Sequence, residues 1–228
     1  MIEQTLRHEY KHLINRLELE TLRHRLAAVM KRDAHAGFDG TYIVRSLYFD
    51  NYNDKVLQEK LDGISRREKF RLRYYNQETD QVKLEKKFKI NNRSGKISAS
   101  LSRAEAEMLL AGSTSWLLSR PESVLHELYA KMTSELLRPK AQVVYQREAF
   151  HFPAGNVRIT LDSQIRTGLF STDFFCGDPS MLTAEMQGQA IMEVKFDAFL
   201  PGFITDIIQI GSRQSSALSK YAICRITG

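Results

Sequence analysis

Cysteine is scarce: Cys176 and Cys224 are the two in 228 residues. Two thiols cannot frame a disulfide-stapled fold, and they fit a reducing compartment, so a cytoplasmic location is expected. Long apolar runs are missing too. No stretch of about 18 apolar residues occurs, so no membrane-spanning helix is expected. The opening Met1-Ile2-Glu3-Gln4 lacks the apolar region of a signal peptide. There is no phosphate-binding glycine loop, because Gly95-Lys96-Ile97 lacks the hydroxyl residue of a P-loop. The histidines (His8, His12, His24, His35, His126 and His151) show no spacing with cysteine or carboxylate that suits a metal. Ser215, Ser216 and Ser219 have no evident His and Asp partners, which argues against nucleophilic serine chemistry. Internal repeats and low-complexity linkers are absent as well.

What the chain has is positive charge and short strands. Net charge is +6 and the isoelectric point about 9.3, which favours anionic partners without choosing among them. An apolar share of 43% is enough for a core, and residues 1–228 read as one domain. A strand opens at Leu6 to Lys11. The spacing of Leu19, Leu22, Leu26 and Val29 predicts a helix over 16–31. Ile43 to Asp50 is a strand. Asn53 is placed to cap a short helix ending near Asp62-Gly63. Strands follow at 67–76 and 81–90, then a turn at Asn91-Asn92-Arg93-Ser94-Gly95 and a short strand over Lys96 to Ser100. Ser102 and Glu105 form a capping-box pattern for a helix ending near Gly112. Pro121 suits the first turn of a helix over 121–137, with Val124, Leu125, Leu128, Met132 and Leu136 inward. Trp116 reads as core or a helix end. Strands return at 140–151, 156–163 and 190–197. The stretch 168–189, with Cys176-Gly177-Asp178-Pro179, is least patterned and reads as loop. Pro201 opens a last amphipathic helix through Ile204, Ile207 and Ile208. This mixture predicts an α+β fold with a mainly antiparallel sheet.

The strands share one peculiarity. Phe70-Arg71-Leu72-Arg73-Tyr74, Val82-Lys83-Leu84-Glu85-Lys86-Lys87-Phe88, Val157-Arg158-Ile159-Thr160-Leu161-Asp162 and Met192-Glu193-Val194-Lys195-Phe196 alternate apolar with charged residues. Side chains alternate across a strand, so each puts its charges on one face. Arg147 shares a face with Tyr145. A sheet with one face in water gives this pattern, and so does a sheet closed into a barrel with a charged interior. Like charges crowded inside a barrel repel one another unless a ligand compensates them.

The order of these segments carries a resemblance over nearly the whole chain. The motifs are Arg7-His8-Glu9-Tyr10-Lys11, Ser46-Leu47-Tyr48-Phe49-Asp50, Lys60-Leu61-Asp62-Gly63, Arg71-Leu72-Arg73-Tyr74-Tyr75 and Glu85-Lys86-Lys87. They continue with Tyr145-Gln146-Arg147-Glu148-Ala149-Phe150, Arg158-Ile159-Thr160-Leu161-Asp162, Glu193-Val194-Lys195 and Ser219-Lys220-Tyr221. Together they resemble the catalytic domain of the vacuolar transporter chaperone (VTC) family of polyphosphate polymerases, within the triphosphate tunnel metalloenzyme group. The resemblance implies an eight-stranded antiparallel β-tunnel with flanking helices. It implies that Arg71, Arg73, Lys87, Arg147 and Arg158 grip phosphates, that Lys220 reaches back into the tunnel, and that Glu193 holds Mn²⁺ or Mg²⁺. Lys60 and Lys96 match more loosely as substrate contacts. Arg7, Lys11, Lys83 and Lys195 are further candidates for substrate binding, and Glu9, Glu85 and Asp162 for metal.

Where hydrolytic members of the group open with Glu-x-Glu-x-Lys, this chain has Arg7-His8-Glu9-Tyr10-Lys11. A guanidinium in place of a carboxylate lowers metal capacity and adds phosphate affinity, which favours polymerase chemistry. Eukaryotic relatives add a regulatory domain and membrane helices. Neither is expected here, so any membrane partner would be a separate chain. The expected activity is ATP–polyphosphate phosphotransfer, with ATP and inorganic polyphosphate as partners and no nucleic acid. Triphosphate hydrolysis and a non-catalytic polyphosphate- or nucleic-acid-binding module are the alternatives.

Overall fold

A computed structural model describes residues 6–33, 35–90, 93–169, 173–176, 181–184, 188–210 and 217–227. Its strands are β1 (Arg7–Ile14), β2 (Lys31–Arg32), β3 (Tyr42–Asp50), β4 (Arg67–Tyr75), β5 (Val82–Ile90), β6 (Arg93–Leu101), β7 (Arg138–Phe152), β8 (Val157–Leu169), β9 (Leu182–Thr183) and β10 (Ala190–Phe196). The helices are α1 (Arg16–Val29), α2 (Lys55–Leu61), α3 (Arg103–Leu110), α4 (Ser123–Ser134), α5 (Gly202–Ile208) and α6 (Lys220–Thr227). Strands run in the order β7-β3-β4-β5-β6-β1-β10-β8, and β8 pairs back to β7. The result is a closed eight-stranded antiparallel barrel, the triphosphate tunnel fold, with β2 and β9 as two-residue additions at its wall. Among the described residues no helix is long and apolar enough to cross a membrane.

The barrel is inside-out relative to an ordinary core. Leu47, Phe49, Phe70, Leu72 and Leu84 point outward and are buried by Ala106 and Leu109 of α3 and Val124, Leu125 and Leu128 of α4. On another side Ile159, Leu161, Met192 and Val194 pack under Leu22 and Leu26 of α1 and Ile204 of α5. The alternate positions therefore face the bore. Where the wall curves from β7 into β8, Tyr145 and Ile165 meet Tyr221, Ala222 and Cys224, so α6 packs against the inner face at one end.

Several local expectations hold. The Ser102–Glu105 capping box starts α3. Others need correction. The short helix α2 is not capped by Asn53: Asp54 is its N-cap, with a left-handed φ of 55°. Asn51 Oδ1 accepts from the Asn53 and Lys55 amides, and Asp50 accepts from Val56 and Leu57. Pro121 precedes α4 rather than sitting in its first turn. Leu136 lies beyond its end, with φ of 54°, and is exposed rather than inward. The strand expected at 156–163 runs on to Leu169. Gln164 has a left-handed φ of 51° and the β7–β8 register shifts beside it. That bulge breaks the period of two on which the sequence pattern depends. Of the expected 91–95 turn, Arg93 to Gly95 already belong to β6, and 91–92 lie outside the described residues. Gly95 stands opposite Phe88, where an added Cβ would come within 2.3 Å of the ring. Trp116 is partly buried against the outer core, in a short 3₁₀ turn over Ser115–Ser119. Much of the expected 168–189 loop, and Ser215 and Ser216, fall outside the described residues.

Candidate functional site

Strand alternation brings the charges together. An inner chamber is lined by Lys69, Arg71 and Arg73 of β4, Lys87 of β5, Lys11 of β1, Arg147 of β7, Glu193 and Lys195 of β10, and Lys220 of α6. Eight cationic side chains thus face one space. Among the described residues four carboxylates are paired with them: Glu9, Glu85, Asp162 and Glu193. The chamber adjoins a wider vestibule of about 500 Å³, whose walls also include Lys11, Lys69 and Lys87.

Each carboxylate fixes particular cations. Glu85, fully buried, accepts from Arg71 Nε at 2.7 Å and Lys96 Nζ at 2.9 Å, with Arg73 3.7 Å away. Asp162 takes Arg147 in a two-bond fork of 2.6 and 2.8 Å and Lys220 at 2.6 Å. Two tyrosines complete the arginine shells. Tyr48 accepts from Arg71 at 2.8 Å, and Tyr145 from Arg73 at 2.9 Å. Forks of this kind hold guanidinium groups ready for phosphate oxygens.

The crowding of cations shows in proton affinities. Burial lowers the Lys69 ammonium and Lys11 and Arg71 add to it, bringing it to about 8. Among the described residues Lys69 pairs with no carboxylate; its Nζ donates to Ser219 Oγ at 3.4 Å. Burial raises the Tyr48 phenol, but Arg71, Lys69 and Arg73 outweigh it and bring it down to about 7. Glu9 raises Lys87, yet burial and Lys195 prevail and hold it well below the usual lysine range.

Two carboxylates have the character of cation ligands. Glu9 and Glu193 repel one another on either side of Lys11, which lies 3.1 and 3.3 Å from them. Glu9 Oε1 is buried without a well-formed hydrogen bond. Glu85 and Asp162 differ in being tied to arginine, Arg71 and Arg147, whereas the partners of Glu9 and Glu193 are lysines, Lys195 holding Glu193 at 2.6 Å. Among the described residues no group of three His, Cys, Asp or Glu side chains forms a metal cage.

The remaining expected residues lie farther out. Lys60 is on the vestibule wall. Arg7 pairs with Asp197 at 2.7 Å and donates to the Asn156 carbonyl. Arg158 is tied to Asp33 and donates to Tyr42 at 3.1 Å, and it does not line the chamber. Lys83 stands opposite Arg73 but is exposed and lines neither cavity. Sequence reasoning missed Lys69, Tyr48, Tyr145 and Ser219 as chamber residues. Lys69 lies two residues before Arg71, so its place on the same face was open to view. It also missed helix α6, which Tyr221 anchors by donating to the buried Asp50 carboxylate at 2.6 Å.

Comparison with one solved structure agrees with this architecture. A structure from Bacillus halodurans, provisionally described as an adenylate cyclase, superposes with a TM-score of 0.52 at 13% identity over 90% of this chain and 87% of that one. The PH1012 protein of Pyrococcus horikoshii OT3 gives 0.46 at 12% identity, covering 89% and 85% of the two chains. The inorganic triphosphatase NE1496 gives 0.28 at 13% identity, covering 86% and 80%. At 13% identity the Bacillus halodurans superposition speaks to the fold alone, and the two below 0.5 carry no argument. No curated protein matches the sequence. The VTC domain model matches residues 6–227, and the chain belongs to the VTC domain family.

Proposed function

We propose that this protein is a metal-dependent polyphosphate polymerase that uses ATP. One observation carries the reading: eight cationic side chains enclose a single chamber against four carboxylates. An excess of fixed positive charge inside a barrel suits a ligand with several negative charges in a row. The γ-phosphate of ATP would lie among Arg71, Arg73, Lys87, Arg147 and Lys220. A terminal oxygen of the acceptor chain forms the new bond to the γ-phosphorus as the bond to the β-bridging oxygen breaks, releasing ADP. The acceptor oxygen is already ionised near neutral pH, so the step requires no strong general base. The protein's work is positioning and charge neutralisation. Lys11, Lys96 and Lys195 would hold neighbouring phosphates. For Arg158 to join them, its guanidinium must leave Asp33.

Glu193 and Glu9 would hold Mn²⁺ or Mg²⁺, which supplies further neutralisation of the transferred group. Two carboxylates plus substrate oxygens form an ordinary environment for such an ion. We place the reaction in the cytoplasm.

Product analysis tests the reading. ATP with Mn²⁺ should yield acid-insoluble phosphate chains. Orthophosphate as sole product would make the chain a triphosphate hydrolase. Salt-sensitive DNA binding that persists in excess tripolyphosphate would instead favour a nucleic-acid module.

A further inference from the structure

One cationic side chain of the chamber has no part in the reaction above. Lys69 of β4 lines both the chamber and the vestibule, and among the described residues it pairs with no carboxylate. Its Nζ lies 3.4 Å from Ser219 Oγ, and Ser219 lines the same two cavities. The sequence shows no His and Asp partner for this serine; the structure supplies a lysine instead. Groups from several strands face the pair: Tyr48 of β3, its ring centre 5.1 Å from Nζ, Lys87 directly opposite on β5, and Lys11 and Glu9 of β1.

Ser219 is a fixed hydroxyl, 7 % exposed. On one side Lys11 Nζ donates to the Leu218 carbonyl at 3.4 Å. On the other, Asp162 holds Lys220 and Asp50 holds Tyr221, both at 2.6 Å. Ser219 Oγ also accepts from the Ala222 amide at 3.4 Å, in the first turn of α6. Amide donors there favour negative charge on the oxygen and on a phosphate attached to it. Arg71, Arg147 and Lys220, among which the γ-phosphate would lie, line the chamber with it.

A serine hydroxyl differs from a polyphosphate end in one respect. The polyphosphate end is ionised, whereas the hydroxyl must give up a proton as it attacks. A base is then needed, and a neutral amine can serve where a guanidinium cannot. Burial, with Lys11 and Arg71, lowers Lys69 to about 8, so an unprotonated share is present near neutral pH. Serine–lysine pairs activate a hydroxyl in this way on unrelated folds. A contact of 3.4 Å is longer than in a working pair, and such contacts tighten when substrate binds.

We propose that Ser219 is a phosphorylation site of the protein itself, the first phosphate acceptor when no chain is present, with Lys69 as its general base. Ser219 Oγ forms the bond to the γ-phosphorus as the bond to the β-bridging oxygen breaks. ADP leaves, and the hydroxyl proton passes to Lys69 Nζ. The phosphoserine ends in ionised oxygens, so later transfers extend it as they would a free chain. ATP as the donor rests on the polymerase reading above.

The test supplies γ-labelled ATP and Mn²⁺ without a seed, and a parallel reaction adds a short polyphosphate seed. In the seedless reaction the protein should take up acid-stable, alkali-labile label that survives denaturing washes and maps to the peptide holding Ser219. Ser219→Asn keeps a capping oxygen and should lose the label. Ser219→Thr keeps a hydroxyl and should retain it. Lys69→Arg keeps the charge but does not release its proton; it should label about a hundredfold more slowly, the lower end of what a general base contributes. Acid-labile label, which marks a lysine as the acceptor, would overturn the proposal, and so would Lys69→Arg labelling at the parent rate. An unlabelled parent protein overturns it whatever the seed does, and a lengthened seed then leaves the polymerase reading standing. Labelled Ser219 with no chain growth would do the reverse.

Discussion

Replacing Asp162 by asparagine isolates what the bound charges do. Asp162 is 0 % exposed, and its two oxygens hold Arg147 at 2.6 and 2.8 Å and Lys220 at 2.6 Å. The amide keeps the shape and removes the charge. Two buried cations then lose their counter-ion. Breaking a buried pair in this way costs about 3–5 kcal/mol. For a chain of this size each kcal/mol lowers the melting temperature by about 2–4 °C, so a drop of roughly 6–20 °C is expected. Burial raises the Asp162 carboxyl, but Arg147 and Lys220 outweigh it and hold it below its ordinary value. The stabilisation is therefore fully present above the unfolded carboxylate range, about 3.9. It fades as pH falls through the lower folded value, so the two melting curves should converge in acid. Tripolyphosphate should recover more of the loss in the variant than it adds to the parent, because it returns negative charge to Arg147 and Lys220. Thermal melts at neutral and acid pH, with and without tripolyphosphate, measure all of this. A variant melting within about 2 °C of the parent at neutral pH would refute the reasoning, that shift being under one kcal/mol.

Other outcomes follow from the same geometry. Glu193→Gln should abolish polymer synthesis while leaving metal-free polyphosphate binding intact or tighter, whereas Arg73→Ala should weaken both. Parallel assays of polymer yield and chelated affinity separate the two. Tripolyphosphate at about a hundredfold over its dissociation constant should stabilise the fold by roughly 2.7 kcal/mol, and matched sulfate giving the same melting shift would count against a dedicated site. Tripolyphosphate affinity should fall as pH rises from 7 to 9. Lys69, at about 8, loses its positive charge over that range, and Tyr48, at about 7, gains a negative one. Calorimetry should accordingly show proton uptake on binding near pH 8; proton release would contradict this. Tyr221→Phe removes the 2.6 Å bond to Asp50 and should cost about 1.5–3 kcal/mol in a denaturant titration.

The barrel was legible because alternation is a local rule. Phe70 and Leu72 point one way, Arg71 and Arg73 the other, and no long-range knowledge is needed to see it. The open question was whether the charged face meets water or a bore. That is settled by closure of the ring, which depends on β1 pairing with β10 and β3 with β7, contacts far apart in sequence. Local irregularity hid the rest. The bulge at Gln164 concealed the second half of β8. Helix α6 is short, and although Ser219 caps it, its Oγ accepting from the Ala222 amide at 3.4 Å, no long apolar stripe announces it. Among the site residues Arg71, Arg73, Lys87, Arg147 and Lys220 do meet in the chamber. Arg158 and Lys83 carry the right charge on strands that also build it, yet they lie beyond its lining. Position along the bore depends on strand tilt and register, and a face assignment does not contain it.

The central claim is transfer of phosphate from ATP to a growing chain. The most direct measurement supplies γ-labelled ATP, Mn²⁺ and an unlabelled short polyphosphate seed, then resolves products by length. The account predicts label in chains longer than the seed, with one ADP formed for each phosphate incorporated. Label recovered entirely as orthophosphate, with the seed unextended, would contradict it.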